Sequence, residues 1–230
     1  EGMRGLETLK ELVDADGRRQ HVGGMKTKMS IAVVMLVTLS AFAEKEASMT
    51  ETNLPDLKGK KALLIIAPKD FRDEEFAEPF KFLKQCGAAV SVAASEKKES
   101  RGMLGMKVTP DLALATVKAD DYDCIVFIGG GGAARYFDDA KAHEIARQAA
   151  SRGKILCAIC IAPATLANAG VLRGKKATCF KSVSPILTKN GASYTGAGVE
   201  RDGNIVTADG PGSAKEFAKK VAEALAEGKQ

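Results

Sequence analysis

Uninterrupted apolar runs alternate with amphipathic segments along most of the chain. Lys61-Ala-Leu-Leu-Ile-Ile-Ala67 carries no polar side chain after its lysine, the pattern of a strand buried on both faces. Residues 74–85 follow with Phe76, Phe80 and Leu83 on one side and Gly87 as a stop, which predicts a helix. The alternation then repeats. Strands are expected over 88–94, 124–128 and 154–158, and helices over 111–117, 141–151, 162–169, 182–189 and 213–227. Residues 103–108 read as a short strand or hairpin, and 200–207 as a hairpin. Such spacing predicts an α/β fold, a single-domain sandwich with a parallel sheet between helices. Sheets of this kind bind ligands at the carboxyl ends of their strands. Here those ends are the segment after Ala67, Gly129 and Cys160.

Cys160 closes the apolar run Lys154-Ile-Leu-Cys-Ala-Ile-Cys-Ile-Ala-Pro163. A strand that turns straight into a helix lifts the turn side chain clear of the sheet, as a nucleophile elbow does. The helix start favours negative charge there, so a lowered thiol pKa is expected. A small buried hydrophobe is the competing reading, since that is how most free cysteines serve. The Cys157-x-x-Cys160 spacing does not make a thioredoxin-type pair. Three strand residues span about 10 Å, beyond the roughly 7 Å that a disulfide bridges. No second cysteine pair with ligand spacing exists, so no metal is expected. Cys86 and Cys124 read as packing residues, and Cys179 as a candidate second thiol. Gly129–Gly132 with Ala133 and Ala134 formally fits Gly-x-Gly-x-x-Ala. That motif belongs after the first strand of a dinucleotide fold, and here the next strand ends in Cys160. No cofactor is expected.

Four segments, in order, resemble one family. Ala158-Ile-Cys-Ile-Ala-Pro163 is similar to the nucleophile elbow of the ThiJ/PfpI superfamily, which groups PfpI-type intracellular proteases with the parkinsonism-linked protein deglycase. Phe71-Arg-Asp-Glu-Glu-Phe76 resembles its acidic segment after the first strand, and Val126-Phe-Ile-Gly-Gly130 its strand ending in a glycine pair. Asp209-Gly-Pro-Gly-Ser-Ala-Lys-Glu-Phe217 resembles the loop that opens its last helix. The resemblance covers residues 60–227 and implies a flavodoxin-like, class I glutamine amidotransferase-like sandwich, dimeric in its relatives. It implies Cys160 as nucleophile and the backbone N–H groups of Gly130 and Ile161 as an oxyanion hole. It also implies Glu75, four residues before Pro79, as the carboxyl beside the cysteine. Partial burial and a neighbouring thiolate would raise the pKa of that carboxyl. Asp73 and Glu74 are expected to face solvent at the helix start.

Histidine is scarce: of two in the chain, only His143 falls in this region. Protease-like members carry one directly after the nucleophile, where this chain has Ile161. The deglycase branch carries one further on, where Phe180 aligns. A Cys–His dyad is therefore not expected, and peptidase activity with it.

The 230 residues carry a net charge of +5 with lysines spread along the chain and no Trp, which gives nucleic-acid binding little support. Met25-Lys-Thr-Lys28, the apolar run Met29–Leu39 and Ala41-Phe-Ala43 have the three-part layout of a secretory signal. Cleavage after Ala43 would send the protein to the periplasm or outside the cell, with no membrane attachment afterwards. A retained anchor is the lesser option, because the run is short for a bilayer. Residues 1–24 then read as an upstream extension with Met25 as the start, or as an amphipathic helix bearing Leu6, Leu9, Leu12 and Val13. Residues 44–59 read as a linker.

Two functions fit this reading. One is cysteine-dependent chemistry on small reactive carbonyls, aldehydes or glycated compounds, with Glu75 moving the proton. The other is a redox-responsive, stress-protective protein in which Cys160 is oxidised to a sulfinate held by Glu75.

Overall fold

The computed structural model describes residues 54–228. The upstream extension, the signal segment and residues 44–53 of the linker lie outside them. In chain order the first strands are β1 (Lys61–Ile65), β2 (Lys69–Phe71), β3 (Ala89–Ala94), β4 (Ser100–Gly102), β5 (Lys107–Val108) and β6 (Leu112–Ala113). Then come β7 (Cys124–Phe127), β8 (Ile155–Ile159), β9 (Lys176–Ala177), β10 (Ser193–Tyr194), β11 (Val199–Asp202) and β12 (Ile205–Ala208). The helices are α1 (Asp73–Gln85), α2 (Ala140–Ser151), α3 (Pro163–Asn168), α4 (Ser184–Lys189) and α5 (Ala214–Glu227).

The apolar runs form the middle of a seven-stranded sheet ordered β11-β12-β8-β7-β1-β3-β6. Every neighbouring pair is parallel except β11 with β12. Helices α1 and α5 pack together over one face, and α2 and α3 cover the other. Burial on both sides is why β7, β8 and β12 contain only buried residues. Counting only the five strands β3-β1-β7-β8-β12 gives the flavodoxin-type order, whose switch point falls between β1 and β7. The segments after β1 and β7 therefore meet across the crevice where such folds bind ligands. Among the described residues no helix is long and apolar enough to cross a membrane.

Residues 111–117 are not the expected helix. The Asp111 N–H donates to the Val92 carbonyl, and its carboxylate accepts the Val92 N–H, both at 2.8 Å. That double clasp draws the segment onto the sheet as β6, parallel to β3, and only a 3₁₀ turn follows over Leu114–Thr116. Leu57, placed by sequence in the linker, is fully buried, and its N–H donates to the Cys86 carbonyl at 2.8 Å. The folded unit thus starts before Lys60.

Asp73 corrects a second expectation. It is buried rather than solvated, and its carboxylate accepts the N–H groups of Leu104 and Met106, each at 2.8 Å. Gly102 leaves room for it: a Cβ there would sit 2.6 Å from the carboxylate carbon. Asp73 thereby holds the β4–β5 hairpin, whose tip exposes Met103 and Leu104, against the start of α1. Asp73→Ala would leave two N–H groups unpaired and is expected to cost about 2 kcal/mol. The check is a lower urea midpoint with an unchanged m value.

Candidate active site

Cys160 directly follows β8 with φ at 64°, one of two non-glycine residues at positive φ among those described. A left-handed conformation at a cysteine is strained. Backbone hydrogen bonds to both neighbouring segments hold it there. Its N–H donates to the Ala208 carbonyl at 2.9 Å, and its carbonyl accepts the Phe180 N–H at 2.8 Å. The side chain is 9% exposed. The backbone N–H groups of Gly130 and Ile161 are aimed at its sulfur and favour the thiolate.

Opposing effects are larger. Burial, and next the charge of Glu75, push the Cys160 thiol up to about 12. The lowered pKa expected from the helix start is not found. Helix α3 begins only at Pro163 and runs six residues, leaving Cys160 in the turn before it. Its dipole is therefore too short and too far off to offset desolvation.

Glu75 comes from the first turn of α1 and is 0% exposed. Neither carboxylate oxygen has a fully formed hydrogen bond, though the Cys160 thiol and the Gly129 N–H both bear on it. A buried, unpaired carboxyl is costly to keep ionised. Burial accordingly raises Glu75 from the ordinary 4.5 to about 7, the direction expected, while the Cys160 thiol, and after it Arg72, pull it back only in part. Gly129 marks where the two meet. A Cβ there would lie 2.5 Å from Glu75 Oε2 and 2.6 Å from Cys160 Cβ, so only glycine fits. Gly130, at φ 91°, packs against the backbone of Asp70, Phe71 and Arg72. The Arg72 N–H, at the start of α1, donates to the Gly129 carbonyl at 3.0 Å. The glycine turn thus joins the acidic segment to the elbow.

Cys160, Glu75, Gly130 and Ile161 are thereby brought together at the carboxyl end of the sheet. His143 is not part of the group. It sits on α2, where its Nε2 and the Phe137 carbonyl are 2.7 Å apart. Cys157 lies inside β8, fully buried, with Cys124 as its neighbour. Cys179 is also fully buried, and burial together with the charge of Cys160 pushes it up to about 12. A cavity of about 420 Å³ adjoins the elbow, lined by Cys179, Phe180, Asp209 and Gly210 among others. Sequence reading missed it, because its walls come from separate segments. A larger cavity, about 570 Å³ and lined by Lys60, Arg152 and Lys154, lies at the amino ends of the strands, away from this chemistry. Among the described residues no cluster of three or more His, Cys, Asp or Glu is placed to hold a metal.

Comparison with known proteins fits this architecture. The DJ-1/PfpI family model matches residues 60–224. The chain belongs to that family. It is 38% identical over 200 residues to an uncharacterised protein of Methanocaldococcus jannaschii, covering 86% of this chain and 98% of that one. A protein named deglycase PfpI from Pyrococcus furiosus is 34% identical, covering 65% of this chain and 90% of its own. A protein named glutathione-independent glyoxalase from Caenorhabditis elegans is 30% identical, covering 72% and 89%. Among solved structures, Drosophila melanogaster DJ-1beta superposes with a TM-score of 0.68 at 37% identity, covering 74% of this chain and 91% of that one.

Proposed function

We propose that this protein acts on small reactive carbonyls in the manner of a glyoxalase or deglycase, with Cys160 as nucleophile and Glu75 as proton carrier. The observation that carries the reading is the buried, unpaired Glu75 carboxyl beside a cysteine held at positive φ. The names of the Pyrococcus and Caenorhabditis relatives support the same substrate class, small aldehydes or glycated compounds.

Magnitudes dictate the order of events. A thiol at about 12 is ionised to only roughly 10⁻⁵ at neutral pH, too little for a free thiolate to carry the reaction. A carboxylate at about 7 is half ionised there. Glu75 therefore takes the thiol proton as the sulfur attacks the aldehyde carbon. The C–S bond forms, the carbonyl π pair moves to oxygen, and the N–H groups of Gly130 and Ile161 hold that oxyanion. Glu75 returns the proton to give a hemithioacetal. With methylglyoxal, Glu75 next removes the proton on the former aldehyde carbon to give an enediol, the hydroxyl proton passes from that carbon's oxygen to the former ketone oxygen, and Glu75 delivers its proton to the former ketone carbon. One carbon is oxidised as the other is reduced, leaving a lactoyl thioester. Water then releases lactate and restores the thiol.

Purified protein is expected to convert methylglyoxal to lactate, followed by proton NMR against a heat-denatured control. Aldehyde and lactate signals that match the control would overturn the reading. Peptide hydrolysis is a different demand, because a departing amine must be protonated and the base positions hold Ile161 and Phe180. Casein cleavage is therefore expected to stay at background. A second reading is favoured by those same two residues: Cys160 oxidised to a sulfinate and hydrogen-bonded by a protonated Glu75. A peroxide-treated protein with a stable Cys160 sulfinate and no aldehyde turnover at all would favour it over the first.

A further inference from the structure

We propose that the cavity beside the elbow receives the substituent carried by the reacting carbonyl, and that Phe180 gives the site a preference for aryl and bulky apolar 2-oxoaldehydes. This rests on the carbonyl reading above and adds a substrate class to it.

The cavity is tied to Cys160 on both sides. One wall, Cys179–Phe180, is joined to the elbow by the hydrogen bond from the Phe180 N–H to the Cys160 carbonyl, 2.8 Å. The other wall, Asp209–Gly210, directly follows Ala208, whose carbonyl accepts the Cys160 N–H at 2.9 Å. Cys160 does not itself line the cavity; these two hydrogen bonds bring both walls against its backbone.

The size of the cavity argues for a larger partner than a methyl group. About 420 Å³ falls within the roughly 300–1,000 Å³ of pockets that enclose drug-sized ligands. A methyl substituent would leave nearly all of it to water.

Its chemistry argues for an apolar one. Phe180 is 47% exposed, among the few large apolar side chains of the described residues left open to solvent. Its ring lies over Gly210, where a Cβ would come 3.6 Å from Phe180 Cδ2. Glycine there keeps that approach free of a competing side chain. Tyr194 and Pro211 add further ring surface. Ser213 Oγ donates to Asp209 Oδ1 at 2.6 Å, so one oxygen of that carboxylate is already engaged within the loop. Lys181 also lines the cavity but is itself exposed, able to keep its ammonium in water. Ring against ring with water expelled is the favourable occupancy for such walls.

The test compares phenylglyoxal with methylglyoxal as substrates. Wild type is expected to have the higher kcat/KM for phenylglyoxal. In Phe180→Ala the ratio of the two constants should fall about five- to ten-fold, through KM for phenylglyoxal. Phe180→Trp should restore it. A ratio that is the same in wild type and Phe180→Ala would overturn the proposal while leaving carbonyl turnover intact. Where neither aldehyde is consumed, the carbonyl reading fails by itself and the pocket is read from alkylation. Labelling of Cys160 by N-phenylmaleimide relative to N-ethylmaleimide, each normalised to glutathione, should then favour the phenyl reagent in wild type and lose that preference in Phe180→Ala. Equal normalised rates in wild type would overturn the pocket whether or not turnover is seen.

Discussion

Cys160→Ser is expected to lower methylglyoxal turnover by at least about 10³-fold, to the level of the denatured control. Serine keeps the shape of the side chain and can occupy the same left-handed turn, so the elbow should persist. What changes is the nucleophile. An alkoxide is far harder to form than a thiolate, and burial at 9% exposure penalises either anion. The charge of Glu75, which already opposes ionisation of the thiol, would oppose an alkoxide as well. In the proposed mechanism the N–H groups of Gly130 and Ile161 hold an oxyanion only once a nucleophile has attacked. Circular dichroism and the urea midpoint should be close to wild type, which separates lost chemistry from lost structure. Serine substitutions at Cys86 and Cys124, both buried within the fold's packing, should leave turnover in place. Retained turnover in Cys160→Ser would mean that the sulfur is not the attacking atom.

The central strands are legible in the sequence because burial on both faces leaves one signal, an apolar run of strand length. Residues 61–67, 124–128 and 154–158 announce themselves this way. The segment 111–117 is not legible for the opposite reason. A helix is expected there, yet the decision is made by the clasp between Asp111 and Val92, nineteen residues away in sequence. Asp73 is misread on the same grounds, since the N–H groups it accepts belong to a hairpin more than thirty residues on. At the site, the position of Cys160 follows from strand, turn and helix in sequence. The identity of Glu75 as its partner came from resemblance. The state of both groups is not legible in the sequence, because desolvation depends on what closes over a side chain. Sequence reading weighed the helix start and predicted a lowered thiol. Burial and a neighbouring carboxylate outweigh it.

Glu75→Gln should lower turnover by about 10²–10⁴-fold, the usual contribution of a positioned general base, and should also change how stability depends on pH. The amide keeps the size of the side chain but accepts no proton from the thiol. In wild type, kcat/KM is expected to rise with pH and bend near 7, as Glu75 becomes the carboxylate that takes the thiol proton. In the variant that bend should vanish. The stability effect has a fixed sign. Below about pH 4.5 both folded and unfolded chains hold the Glu75 proton, and its burial costs little. Between about 4.5 and 7 the unfolded chain releases the proton while the folded one keeps it, so this group's contribution favours unfolding more with each step up in pH. Above about 7 the folded protein bears the full cost of a buried carboxylate, about 3 kcal/mol. The glutamine variant bears none of it. Its stability relative to wild type, from urea midpoints at pH 4.5 and pH 8, should therefore rise by up to that amount. A gap that stays constant across this range would mean that Glu75 titrates as an ordinary solvated carboxyl, and the proton transfer assigned to it would fail. Coupled loss of activity and gain of stability above neutral pH is what a group kept for its chemistry at the expense of the fold would give.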